Sequence, residues 1–174
     1  MPAGAQSGFI VVVPEAEPLV NAMRWKFDET ARLGVPAHVT VLFPFMDPER
    51  IDAVVLEKCA RTLTEHKKFV FQLHRVGRFP VTAYLEPDPP EPFIALTMGL
   101  VGAFPEYPPF DGEFTSIIPH LTVAHGNASE AQTAARQLAL NLQSVERVSC
   151  VCAAVTLIEN SSGQWKPMRV FPLA

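Results

Sequence analysis

Two stretches of this chain are built alike: Pro36-Ala37-His38-Val39-Thr40-Val41 and Ile118-Pro119-His120-Leu121-Thr122-Val123. Each reads His-x-Thr-x among β-branched and aliphatic residues. In a strand, residues two apart project from the same face. Each stretch therefore sets an imidazole beside a hydroxyl on one face and sends its valines or leucine into a core on the other. A proline just upstream suits a strand entrance in both cases. One such stretch carries little information. Two predict a site assembled from two copies, with His38, Thr40, His120 and Thr122 facing one cavity.

The rest of the pattern reads as a duplication. Residues 9–13 form a buried strand closed by Pro14. A helix is expected over 18–33, with Val20, Met23, Phe27 and Ala31 inward and Gly34 as its stop. The first His-x-Thr strand follows over 37–43. Asp47 and Pro48 carry the signature of a helix start, with Ile51, Val55, Cys59 and Leu63 on the inner face. Residues 69–76 alternate as a half-buried strand does, and 77–80 turn into a second strand over 81–85. Pro87, Pro89, Pro90 and Pro92 read as a stiff linker. A helix phased through Phe93, Leu96, Thr97, Leu100 and Phe104 comes next, then a Pro-rich loop over 106–113. The second His-x-Thr strand spans 116–124. Ser129 opens a capping box for another helix. A long strand over 148–158 and a final one over 165–171 complete the chain.

The order helix, His-x-Thr strand, helix, sheet strands thus occurs twice. The histidines stand at 38 and 120, an offset of 82 residues, and the same shift carries Asp47 to Ser129 and Phe69 to Val151. The expectation is an α+β fold over residues 1–174 as a single domain with pseudo-twofold symmetry. Its lobes cover about 15–86 and 93–171, each a small antiparallel sheet with outer helices. The sheets face a central cleft, and strand 9–13 joins them.

At 48% apolar residues the chain can bury a substantial core. Its net charge is −4, and no basic run exceeds Lys67-Lys68. A protein that grips long duplex nucleic acid through phosphates needs a basic face, so that class is excluded and any nucleic-acid substrate must be short, an end or a nucleotide. Cys59, Cys150 and Cys152 are odd in number and lack metal-type spacing, which reads as buried thiols in a reducing compartment. No stretch is long and apolar enough to span a bilayer. A cytoplasmic monomer with no cofactor and no bound metal is expected.

Taken together, His38-Val39-Thr40-Val41 and Pro119-His120-Leu121-Thr122-Val123 resemble the paired motifs of the 2H phosphoesterases, in particular the 2′-5′ RNA ligase-like proteins related to cyclic nucleotide phosphodiesterases. Gly77-Arg78-Phe79-Pro80 is similar to that family's turn before its mid-chain strand, and the order of elements agrees over nearly the whole chain. The resemblance implies a two-lobed fold and metal-free making or breaking of 2′,3′-cyclic or 2′,5′ phosphodiesters. It also implies that His38 acts as acid toward the leaving 3′ oxygen and His120 as base toward water. Family members often carry an Arg shortly after the second motif, where this chain has His125.

That chemistry suits these residue types. Opening a cyclic phosphodiester with water needs a base on the attacking side of phosphorus and an acid on the leaving side. Imidazole, with an ordinary pKa near 6.5, serves either role. Thr40 and Thr122 hydroxyls can donate to the non-bridging oxygens. His125 is a candidate phosphate contact. Phe45, beside Pro44 in the loop after the first motif, is a candidate base-stacking residue, whereas Phe43 is expected in the core.

Overall fold

The structure is a computed structural model that describes residues 4–113, 116–145 and 147–174. In chain order its strands are β1 (Ser7–Val12), β2 (His38–Leu42), β3 (Phe69–Phe79), β4 (Thr82–Asp88), β5 (Leu121–His125), β6 (Val148–Cys152), β7 (Ala154–Glu159) and β8 (Lys166–Pro172). The helices are α1 (Glu17–Phe27), α2 (Glu29–Arg32), α3 (Ala53–Thr64), α4 (Glu91–Ala103) and α5 (Ala128–Val145). The strands form two four-stranded sheets, β2-β1-β7-β8 and β5-β4-β3-β6, and every neighbouring pair is antiparallel. Helices α3 and α4 pack on the first sheet, α1 and α5 on the second. The molecule is a two-lobed α+β fold. Each His-x-Thr strand lies at the edge of its own sheet, and β2 and β5 are in contact.

The sheets interleave along the sequence. Residues 15–86 and 93–171 each send strands to both of them, and β1 sits inside the first sheet between β2 and β7. The expected strand over 148–158 is two strands. It breaks at Ala153, with β6 in the second sheet and β7 in the first, so the chain crosses between lobes there.

Several boundaries differ from expectation for local reasons. The helix over 18–33 ends at Phe27, because Asp28 takes an extended conformation and its carboxylate caps α2 through the Thr30 N–H at 3.1 Å. A short acidic side chain that bonds its own backbone competes with helix continuation. Asp47 caps only a single 3₁₀ turn, Pro48–Arg50; α3 is capped by Asp52, which accepts from Val55 N–H at 2.9 Å. Asn127, not Ser129, caps α5, accepting from Glu130 N–H at 2.8 Å. The supposed turn at 77–80 is largely strand. β3 runs through Gly77 to Phe79, and the chain reverses at Pro80-Val81. Gly77 is required there, since a Cβ would collide with the ring of Tyr84 on β4. β4 continues through Pro87 to Asp88, which shortens the expected linker.

Both lobes share one core that includes Phe9, Phe71, Phe93, Phe171, Leu85, Leu121 and Leu138, each 2% exposed or less. Cys59, Cys150 and Cys152 are buried free thiols, as expected. Burial pushes Cys59 up to about 11 and the other two to about 12, so all three stay protonated at neutral pH. Among the described residues no helix is long and apolar enough to cross a membrane.

Candidate active site

The two motifs are matched beyond their letters. His38 Nδ1 lies 2.7 Å from the Pro36 carbonyl oxygen, and His120 Nδ1 lies 2.7 Å from the Ile118 carbonyl oxygen. A carbonyl only accepts, so each ring is protonated on Nδ1 and keeps Nε2 as its basic nitrogen. The partner is the residue two positions upstream in both cases. Val39, Val41, Leu121 and Val123 are buried, while His38, Thr40, His120 and Thr122 are partly exposed. The face expected from alternation is the face observed.

A second correspondence follows each threonine. In β2 the register passes from Ile10↔Thr40 to Phe9↔Leu42, leaving Val41 as an extra residue. In β5 it passes from Tyr84↔Thr122 to Ala83↔Ala124, leaving Val123 extra. Both strands therefore carry a β-bulge at the same place in the repeat. The bulge turns two successive residues into the core: Val41 with Leu42, and Val123 with Ala124, all 3% exposed or less. Alternation then resumes with its phase reversed. Phe43 and His125, which simple alternation sends to the opposite side, come round to the His/Thr face. Thr82 confirms this for His125. It shares that face with Tyr84, and its Oγ1 lies 2.8 Å from His125 Nδ1.

Thr97, 2% exposed on α4, holds the first bulge by donating to the Val41 carbonyl at 2.7 Å. Together with Thr40, Phe43, Met98, Val101 and His120 it lines a cavity of about 190 Å³ that both lobes help to form. Of the four residues expected to face one cavity, Thr40 and His120 line it, while His38 and Thr122, like His125, do not. His120 is also packed by aromatic rings. Phe79 meets it edge to face at 5.2 Å between centroids, and Tyr84 lies at 5.3 Å. The space left by Gly77 admits that tyrosine.

Burial lowers the pKa of both histidines. His38 falls from 6.5 to about 4, against a smaller upward pull from its bond to Pro36. His120 is lowered by burial and, to a lesser degree, by His125. The two motif rings are close enough that the charge of His120 is felt at His38. At neutral pH both are neutral in the free protein.

Phe45 is not at this site. It is 6% exposed and packs edge-on against Phe9, Phe104 and Tyr107. Phe43, expected in the core, lines the cavity and meets Trp165 at 6.0 Å. The bulge brings Phe43 to the cavity, whereas Phe45 turns inward beyond the end of β2, where its N–H donates to the Ser7 carbonyl at 2.9 Å. A sequence signal for it exists: in both motifs two apolar residues follow the threonine, Val41-Leu42 and Val123-Ala124, where strict alternation wants one. Arg75 pairs with Glu86 at 3.5 Å, and His74 with Asp88 at 2.9 Å. Among the described residues no group of three or more His, Cys, Asp or Glu is placed to hold a metal ion.

Comparison with known proteins agrees with this architecture. E. coli LigT in complex with 3′-AMP is 18% identical, with a TM-score of 0.62 over 99% of each chain. TT0787 of Thermus thermophilus is 18% identical, with a TM-score of 0.65 over 96% of this chain and 97% of its own. A protein described as a phosphoesterase is 19% identical, with a TM-score of 0.60 over 99% of each chain. LigT has also been seen with NADP+ and with ATP. No curated protein matches by sequence. The family model of the 2′-5′ RNA ligase superfamily matches residues 12–164, a span that holds both His-x-Thr motifs and both bulges, and the chain belongs to that superfamily.

Proposed function

We propose that this protein is a phosphodiesterase that opens 2′,3′-cyclic phosphates, or cleaves 2′,5′ linkages, on nucleotides or RNA ends through its paired histidines. The observation that carries this reading is the twin tether: two imidazoles at the entrances of contacting edge strands, each with Nδ1–H tied to the carbonyl two residues back and Nε2 left basic. Small nucleotides bound to LigT support the substrate class, as does a net charge of −4 with no basic run for long duplexes.

In the forward reaction, water attacks phosphorus as His120 Nε2 takes its proton. The bond from phosphorus to the 3′ oxygen breaks on the opposite side, and His38, protonated at Nε2 when the anion binds, gives that oxygen a proton. The product is a 2′-phosphate with a free 3′-hydroxyl, and proton exchange with solvent restores the pair. Thr40 and Thr122 donate to the non-bridging oxygens. His125, brought to the same face by the bulge, is an additional phosphate contact. The chemistry asks no metal of the protein, and the protein acts as a cytoplasmic monomer.

The test is turnover of 2′,3′-cyclic nucleotides and 2′,5′-linked dinucleotides by EDTA-treated protein. H38A and H120A should each lose roughly 10²–10⁴ in rate, the usual scale for acid–base catalysis. Saturable binding of these compounds without turnover by the wild type would make the site a nucleotide-binding module instead.

A further inference from the structure

Residues 35–37 carry the carbonyl that sets the tautomer of His38, and they are held from several sides. Val35 N–H donates to the Thr30 carbonyl at 2.9 Å, and Val35 O accepts from Arg24 Nη2 at 3.0 Å. Ala37 N–H donates to Glu17 Oε1 at 2.7 Å, and Ala37 O accepts from Val13 N–H at 2.8 Å. Pro36 lies between these two fixed residues, and its carbonyl receives His38 Nδ1–H.

Arg24 is itself unusual. It is 2% exposed and pairs with Asp28, 3% exposed, at 3.2 Å. Arg24 Nη2 also reaches Thr30 Oγ1 at 3.3 Å, and Asp28 Oδ1 accepts from the Thr30 N–H and hydroxyl at 3.1 and 2.8 Å. A buried ion pair is a poor way to gain stability, since apolar residues of similar volume often do as well. This one breaks a helix and commits a guanidinium nitrogen to the backbone three residues before a motif histidine. Both charges are felt at His38 in opposite senses: Arg24 disfavours its protonation and Asp28 favours it, and His120 disfavours it only when itself protonated.

We propose that the buried Arg24–Asp28 pair is a positioning device for His38, clamping the backbone whose Pro36 carbonyl orients the imidazole while adding little net charge to the site. Its kinetic consequences rest on the phosphodiesterase reading; its effect on the ring does not.

The experiment compares R24K, D28N and R24M/D28L with wild type by long-range ¹H–¹⁵N NMR of His38 and by steady-state kinetics. D28N keeps the shape and an acceptor oxygen but leaves Arg24 uncompensated, so the His38 titration midpoint should fall further. In R24M/D28L both charges are gone. The midpoint should stay near that of wild type while the single Nδ1–H tautomer gives way to a mixture, and kcat should drop about tenfold or more with KM within about twofold. R24K keeps the charge but not the reach of Nη2 to Val35. It should mix the tautomers without moving the midpoint, and it decides the matter if the other variants do not fold. A folded R24M/D28L or R24K with the wild-type tautomer and wild-type kcat would overturn the proposal. Should wild type show no turnover at all, the NMR comparison alone still tests the clamp.

Discussion

The lowered pKa values of the two motif histidines predict a pH profile displaced from the ordinary imidazole range. A ring that titrates at about 4 is protonated in only about one molecule in a thousand at pH 7, against roughly one in four for a free imidazole. Acid–base catalysis by the pair needs one ring protonated and the other neutral. With His38 the lower of the two, the productive form, His38 protonated and His120 neutral, is a minority of the singly protonated protein, yet it still peaks between the two pKa values, the lower about 4 and the upper below 6.5. The profile of kcat/KM should therefore be a bell lying below pH 6.5, falling about tenfold per pH unit above it. Bound phosphate supplies the missing counter-charge and favours an imidazolium, so the kcat profile should sit at higher pH than that of kcat/KM.

The same displacement enters stability. The folded value lies below the unfolded one, so between pH 6.5 and about 4 the unfolded chain binds the extra proton. His38 therefore carries no penalty above pH 6.5, and stability is lost as pH falls through that window. Each pH unit is about 1.4 kcal/mol, so the loss approaches roughly 3 kcal/mol, reduced to the extent that water reaches this partly exposed ring. The assays are kcat and kcat/KM between pH 3.5 and 8, NMR titration of His38 with and without inorganic phosphate, and denaturant unfolding at pH 7 and 4.5. A kcat/KM maximum at or above pH 7, or a His38 midpoint near 6.5 in the free protein, would refute the reasoning.

Two substitutions separate site from scaffold. F45A should cost about 3–5 kcal/mol of stability through the cavity it leaves among three aromatic rings, while F43A should change KM more than the unfolding midpoint in urea. G77A should displace Tyr84 from its place opposite Thr122, costing about 1–3 kcal/mol as overpacking, and the loosened contact with His120 should appear as a shift of that ring's NMR signals.

The sequence was most legible where one backbone periodicity coincided with chemistry. His38, Thr40, His120 and Thr122 fall on one face because a strand alternates, and no distant contact is needed to see it. The helix break at Asp28 was not legible, since it depends on a buried partnership with Arg24 inside a phase of apolar residues that reads straight through. Caps failed where two competent residues lay close together, Asp47 with Asp52 and Asn127 with Ser129. The bulges left only a faint mark, the two apolar residues after each threonine, because register belongs to the partner strand as much as to the strand that bulges. The extra residue in β2 moves Phe43 out of the core, while the burial of Phe45 depends on the loop after β2 folding back on Ser7.

Because β1 is flanked by β2 and by β7, and β8 closes the far edge, the first sheet cannot be completed during synthesis until residue 172 has cleared the ribosome. An amino-terminal fragment of this chain would display a bare ladder of peptide groups along β1. Both sheets draw strands from either side of residue 90, so a scission in the linker there would leave two pieces able to complete a sheet only in each other's company.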